Sequence, residues 1–300
     1  MPETPLAKYV RRQTWLEPLG DVTQKVVGAV YKGLGPAGRP VRNLMQGTWI
    51  LRHPLHPALT DIPIGAWTVG VVADYAAHFT HAIPEAAGDI ALIVGLLGAL
   101  AAFVTGLTDY LDTFALERRF GTAHGLTMTV VIVIDFVSLL LRWFAGHGAH
   151  PVAVALSTAG WVVLLVGAWI GGHLVFAIAY PVNRNALIES GPDEWTPVGA
   201  ADSVPAEGMT MMNVAGMNVL LARDGGVIHA LSDVCTHVGA PLHEGTLQNG
   251  VITCPWHASE FRLRDGRAVR GPASMDLPCL GVRETDGVVE VKLSEPLHDP

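Results

Sequence analysis

A chain of 300 residues that is 50% hydrophobic and only 15% charged is too apolar for an ordinary soluble protein. Its net charge of −8 is unevenly distributed, and nothing in it points to nucleic-acid binding. The apolar residues concentrate between about 62 and 180.

The first sixty residues are expected to form a cytoplasmic segment (1–60), and they carry Lys8, Arg11, Arg12, Lys25, Lys32, Arg39, Arg42 and Arg52. Within it, residues 20–34 space Val22, Val26, Val27 and Val30 at helical intervals among Asp21, Lys25 and Lys32. Two readings fit that pattern: an amphipathic helix on the inner membrane surface, or a solvated helix packed on the rest of the domain. The first apolar run begins near residue 62, so no cleavable secretory signal is expected.

Four apolar runs follow, at 62–77, 90–107, 125–141 and 151–180. With flanking residues, each supplies the roughly 20 residues needed to cross a hydrocarbon core of about 30 Å. The expectation is an α-helical membrane bundle of four transmembrane helices over 61–181. Asp74 and Asp135 are expected to pair with polar groups inside it, in preference to forming a proton path. Gly95, Gly98 and Gly106 should permit close helix contact. Arg118 and Arg119 lie between the second and third runs and Arg142 between the third and fourth, while the loop between the first two has no Lys or Arg. Basic residues mark the cytoplasmic side, so both chain ends are expected there, in a multi-pass protein of a bacterial inner membrane.

The membrane half carries His53-Pro54-Leu55-His56-Pro57, Asp61-Ile62-Pro63-Ile64-Gly65, Thr105-Gly106-Leu107-Thr108-Asp109, His124-Gly125 and Gly171-Gly172-His173. Over roughly 45–185 this resembles a bacterial four-helix membrane-domain family that occurs alone or joined to Rieske domains. The resemblance implies architecture and no activity. The topology puts His56, His124 and His173 in the cytoplasmic half of the bundle. Histidine inside a bilayer is costly, and facing histidines can ligate haem b or a metal ion. Interfacial solvation, helix capping or a bond to a neighbouring helix are the plainer roles. The haem expectation centres on His173, in a run of thirty residues without Lys, Arg, Asp or Glu, with His124 and His56 as its nearest candidate partners.

A short linker at 182–195 leads to a last domain at 196–295. Asp224-Gly225-Gly226, Asn249-Gly250, Asp265-Gly266 and Asp286-Gly287 are hairpin-turn signals, and β-rich runs at 218–222, 227–231, 251–254 and 288–293 lie between them. This spacing predicts a small all-β antiparallel barrel or sandwich. The domain contains Cys235-Thr236-His237, then sixteen residues, then Cys254-Pro255-Trp256-His257. Zinc sites also use two cysteines and two histidines, but they usually pair Cys with Cys and His with His. One of each in both loops, with Gly239-Ala240-Pro241-Leu242, Ala258-Ser259-Glu260-Phe261 and Gly271-Pro272 around them, resembles the Rieske ferredoxin domain over roughly 195–293. The resemblance implies a [2Fe–2S] cluster with Cys235 and Cys254 on one iron and His237 and His257 on the other. In a barrel or sandwich of the predicted kind, both ligand loops would be hairpin tips converging at one end.

Rieske proteins of quinol-oxidising complexes carry an extra cysteine in each loop; here those places hold Ala240 and Trp256. Ser259 is kept, but Phe261 stands where those proteins have a tyrosine. Fewer hydrogen bonds to cluster sulfur imply a ferredoxin-like potential in the lower part of the Rieske range. Cys279 lies outside both loops and is expected to be a small buried hydrophobe.

The function these features predict is a membrane-anchored electron carrier that moves single electrons between a partner protein, a reductase or an oxidase, and the membrane domain. Alternatives are a redox subunit of a quinone- or haem-linked oxidoreductase, or a redox sensor. Membrane lipid and quinone are the expected small partners. A terminal oxygenase would need an iron held by two histidines and a carboxylate beyond the cluster. Only 43 residues follow His257, with His298 the one histidine among them. No glycine-rich dinucleotide fingerprint occurs, so reduction by NADH or flavin falls to another protein.

Overall fold

The computed structural model describes residues 4–80, 83–144 and 150–294, so His298 lies outside the described residues. It divides into two units, Met1–Gly38 with Leu55–Ile178, and Arg39–Pro54 with Ala179–Pro300.

The first unit is helical. Thr4 caps α1 (Pro5–Arg12), its hydroxyl accepting the Ala7 N–H ahead of a proline in the first turn. The helix α2 (Leu16–Gly33) directs Asp21, Gln24 and Tyr31 at the neighbouring helices. Gln24 Nε2 donates to the carbonyls of Tyr110 (2.9 Å) and Thr113 (2.8 Å), Asp21 pairs with Arg118 (2.5 Å), and Tyr31 bonds to Thr108 (2.6 Å). Val22, Val26 and Val30, one turn apart, face outward and are more than half exposed. The segment is packed against the helices that carry Thr108 and Arg118, and its apolar stripe is turned away from the protein.

Four long helices follow: α4 (Leu55–Thr80), α5 (Ala86–Tyr110), α6 (Ala115–Phe144) and α7 (His150–Phe176). The pairs α4–α5 and α6–α7 pack most closely, and α5 against α6 and α4 against α7 close the ring. Small residues set the approach: a Cβ on Gly95 would overlap the Trp67 indole, and one on Gly98 would sit 2.6 Å from Ile62 Cγ2. The interior is Trp67, Leu92, Leu96, Ala99, Val131, Leu139 and Leu164.

Three of these helices, α5, α6 and α7, are long and apolar enough to cross a membrane, not the four expected. With 26 residues α4 has the length, but Asp61, Asp74, His78 and an internal Pro63 dilute its apolar character. In the most apolar stretch of each spanning helix only 44%, 22% and 33% of residues are buried. Most of that surface faces outward, as it does where lipid covers it.

Arg142 is not in a loop. It ends α6 inside the bundle, where its guanidinium binds Asp74 with two bonds (2.9 and 2.5 Å) and reaches Asp89 (2.8 Å) and Ser157 (3.0 Å). Asp74 thus has the polar partner expected of it. Asp135, 1% exposed, has no hydrogen-bond partner for either oxygen among the described residues.

The second unit is built on two antiparallel sheets. One has the order β1 (Thr196–Ala200), β10 (Val288–Leu293), β9 (Cys279–Thr285), β4 (Val227–Ser232), β3 (Met217–Asp224), β2 (Met209–Val214). The other runs β5 (Thr246–Gln248), β6 (Val251–Thr253), β7 (Glu260–Arg262), β8 (Ala268–Arg270). Two-residue turns at Gly225-Gly226, Asn249-Gly250 and Asp286-Gly287 join strands as the sequence predicted, all with positive φ. Ala215-Gly216 makes a fourth such turn that the sequence did not flag.

Two flanking segments belong to this unit. From Arg39–Pro54, which includes most of α3 (Gly38–Met45), Asn43 donates to the Val269 carbonyl (3.2 Å) and accepts from Gly271 N–H (3.2 Å). Thr48 donates to the Ala273 carbonyl (2.9 Å). From 179–195, Asn185 donates to the Val234 carbonyl (2.8 Å), and its carbonyl oxygen accepts from the Ser232 hydroxyl (2.5 Å).

Candidate metal centre

The two sequence-predicted ligand loops have the same backbone frame. Cys235 N–H donates to the Ala240 carbonyl five residues on (2.9 Å), and Gly239 N–H returns to the Cys235 carbonyl (2.9 Å). In the second loop Cys254 N–H donates to the Ser259 carbonyl (2.8 Å), and Ala258 N–H returns to Cys254 (3.1 Å). Both frames need one left-handed residue at the fourth position after the cysteine. Gly239 supplies it at φ +86° without strain, and Ala258 at +56°. The second loop is the tip of the β6–β7 hairpin, as predicted. The first is not a strand hairpin; it lies on the connection from β4 to β5 and is closed by the single bridge Val234–Pro241.

These frames bring all four predicted residues into one buried place. His237 Nδ1 and His257 Nδ1 lie 3.3 Å apart, with ring centroids at 4.7 Å and planes at 88°. Two imidazole nitrogens on one tetrahedral metal, with bonds of about 2.0–2.1 Å, would be about 3.4 Å apart. Cys235 and Cys254 are within hydrogen-bond reach of each other in a core with Leu242, Ile252 and Phe261. Burial, and then the neighbouring His257, pushes the His237 pKa down to about 3, so the ring is the neutral donor a metal requires. The hydrogen bond from Cys235 pulls the Cys254 thiol down to about 7, toward the thiolate. Two soft and two imidazole donors, segregated by type, fit a mixed-ligand [2Fe–2S] cluster.

Several supporting residues were not legible in the sequence. Asp233, buried, accepts from the backbone N–H (2.8 Å) and ring (2.7 Å) of His243 and pins the far side of the first loop. The Tyr180 ring meets His237 edge-on at 5.2 Å. The Ser259 hydroxyl accepts from Ala273 N–H (3.0 Å), which leaves its own proton available. Only Ser259 and its neighbours carried a local signal; the other contacts join residues ten to more than fifty positions apart. Phe261 is fully buried in the same core as both cysteines, and Cys279 is half-buried against it.

The three membrane histidines do not converge as predicted. His56 and His124 meet, with ring centroids 6.2 Å apart. His173 instead stacks between Phe120 (4.7 Å) and Trp169 (5.3 Å).

Comparison with known proteins agrees with this division. Residues 194–281 match the Rieske [2Fe–2S] domain, and residues 52–183 match a predicted membrane protein domain, DUF2231. The chain is 33% identical over 108 residues to the anthranilate 1,2-dioxygenase ferredoxin subunit of Burkholderia cepacia, covering 36% of this chain and 99% of that one. It is 29% identical over 97 residues to the cytochrome b6-f complex iron-sulfur subunit of Chlorobaculum tepidum, covering 32% of this chain and 52% of that one. Among solved structures, the ferredoxin of carbazole 1,9a-dioxygenase from Nocardioides aromaticivorans IC177 aligns over 33% of this chain and 99% of its own at 27% identity, with a TM-score of 0.32. The chain belongs to the Rieske [2Fe–2S] family, here with a DUF2231 membrane domain preceding the cluster-binding fold.

Proposed function

We propose that this protein is a membrane-anchored one-electron carrier. The observation that carries the reading is the pair of matched loops, each presenting one thiol and one imidazole to a common buried point, on a chain with three apolar helices. Cys235 and Cys254 would hold one iron and His237 and His257 the other, and the cluster supplies one-electron chemistry. The residues around it set the conditions. Leu242, Ile252 and Phe261 exclude water from the cysteines, the Tyr180 edge covers one face of His237, and Ser259 offers a hydroxyl proton to the sulfur side.

The electron donor in this reading is a separate reductase, and the acceptor is an oxygenase- or oxidase-type protein or a second redox group in the membrane. The similar dioxygenase ferredoxin supports a ferredoxin role. Both termini lie on the cytoplasmic side: with Arg142 buried in the bundle, the basic residues that flank the long helices are those of the N-terminal segment, Arg118, Arg119 and Arg184. The fourth long helix, α4, completes the bundle against lipid, and the valine stripe of α2 rests at the membrane surface.

The test is EPR and metal content of the dithionite-reduced, anaerobically purified protein. A mixed-ligand [2Fe–2S] signal that disappears in His257→Ala and Cys254→Ala is expected. Stoichiometric zinc without iron overturns the reading.

A further inference from the structure

His56 and His124 repeat one local arrangement on two helix pairs. His56 on α4 places Nδ1 2.8 Å from the Ala102 carbonyl of α5, and His124 on α6 places Nδ1 2.9 Å from the Gly167 carbonyl of α7. A carbonyl only accepts, so each Nδ1 carries the proton and each Nε2 keeps its lone pair. Four residues beyond each acceptor stands the glycine that makes room for the ring. A Cβ on Gly106 would come within 2.8 Å of His56 Cε1, and one on Gly171 within 3.0 Å of His124 Cε1. Neither Nε2 has a hydrogen-bond partner among the described residues. A backbone bond at Nδ1 that fixes the tautomer and leaves Nε2 open is how metal-ligating histidines are held.

The spacing says what they can hold. Two imidazoles bound on opposite sides of one iron, at about 2.0–2.1 Å per bond, have ring centroids about 6 Å apart. The observed separation is 6.2 Å, with planes at 76°. The pair in the Rieske domain, arranged for a shared tetrahedral corner, stands at 4.7 Å. A bare divalent ion needs about four ligands, and among the described residues no third His, Cys, Asp or Glu joins His56 and His124 to hold one. A porphyrin iron brings four nitrogens of its own and asks the protein only for axial ligands.

We propose that His56 and His124 are the axial ligands of a b-type haem in the helical bundle. His173, the residue on which the sequence reading centred, is outside the site; its ring is taken up by Phe120 and Trp169. Resting on the electron-carrier reading, the haem exchanges one electron with the cluster: ferric iron becomes ferrous as the reduced [2Fe–2S] centre returns to its oxidised form. No bond or proton is transferred.

Full-length protein from iron- and haem-replete cells, purified in detergent, tests this by absorbance and pyridine haemochrome. We expect about one haem b per chain, with a Soret band and sharp reduced-state peaks. His56→Ala and His124→Ala should each lose them, whereas His173→Ala keeps them. His124→Met, which offers a thioether in place of the imidazole, should retain haem with a shifted spectrum. The Rieske EPR signal should persist in every variant, which separates loss of a ligand from loss of fold. Wild-type protein with that EPR signal and no Soret band overturns the proposal, as does haem retained in full by both alanine variants, or a stoichiometric metal ion lost in His124→Ala without porphyrin. Haem present without a Rieske signal would sink the electron-carrier reading and leave the haem site standing.

Discussion

Ser259 and Phe261 sit two residues apart on the hairpin that carries Cys254 and His257, where under the proposed function they would set how much help the cluster's charge receives. The Ser259 hydroxyl accepts from Ala273 N–H, so its proton is turned away from that bond. A hydrogen bond to the charged sulfur side, worth on the order of 1 kcal/mol, shifts a one-electron potential by tens of millivolts. Ser259→Ala should lower the midpoint by that order in a redox titration followed by EPR. Phe261→Tyr, placing a hydroxyl in the core shared with both cysteines, should raise it. A midpoint unmoved by either change would mean that these hydroxyl positions do not reach the cluster. The four candidate ligands were named in the sequence because spacing along the chain carries their pattern, and the fold brings them together. Asp233, Asn185 and Tyr180 were not, because a carboxylate, an amide and a phenol at those positions acquire meaning only when the second unit folds.

At the scale of elements, glycine-bearing turns were readable and connections were not. Gly225-Gly226, Asn249-Gly250 and Asp286-Gly287 announce two-residue hairpins because φ above zero restricts the choice of residue. The first ligand loop carries one left-handed glycine, Gly239, but no two-residue hairpin signal; one bridge and the Asp233–His243 contacts close it. In the bundle, Gly95 and Gly98 predicted contact faces correctly, but Arg142 reads in sequence as a loop cation and is an interior one. Its guanidinium side chain is 1% exposed, and that of Asp74 is 2% exposed. Removing one partner of a buried pair leaves an uncompensated charge at a cost of about 3–5 kcal/mol. Arg142→Leu should therefore lower the detergent-solubilised protein's thermal stability sharply, with Asp74→Asn,Arg142→Leu recovering part of the loss. Equal stability of Arg142→Leu and wild type would show that the network contributes little.

Across the whole molecule, composition marked the apolar half and turn signals marked the β half, while the number of helices apolar enough to span was not legible. The α4 segment has the length of a span, but Asp74, which pairs with Arg142 inside the bundle, together with Asp61 and Pro63 lowers its apolar character. The proposed inner-side placement of the cluster predicts that alkaline phosphatase fused after Pro300 is inactive and a fluorescent protein there is bright. Strong phosphatase activity would reverse the topology. The central claim, a Rieske cluster carried on a membrane anchor, meets its most direct test in EPR of dithionite-reduced membranes washed with high salt and carbonate. The account predicts that the mixed-ligand [2Fe–2S] signal stays with the washed membranes and is absent from those bearing His257→Ala. A signal released into the soluble fraction, or none in membranes that contain the full-length protein, would contradict it.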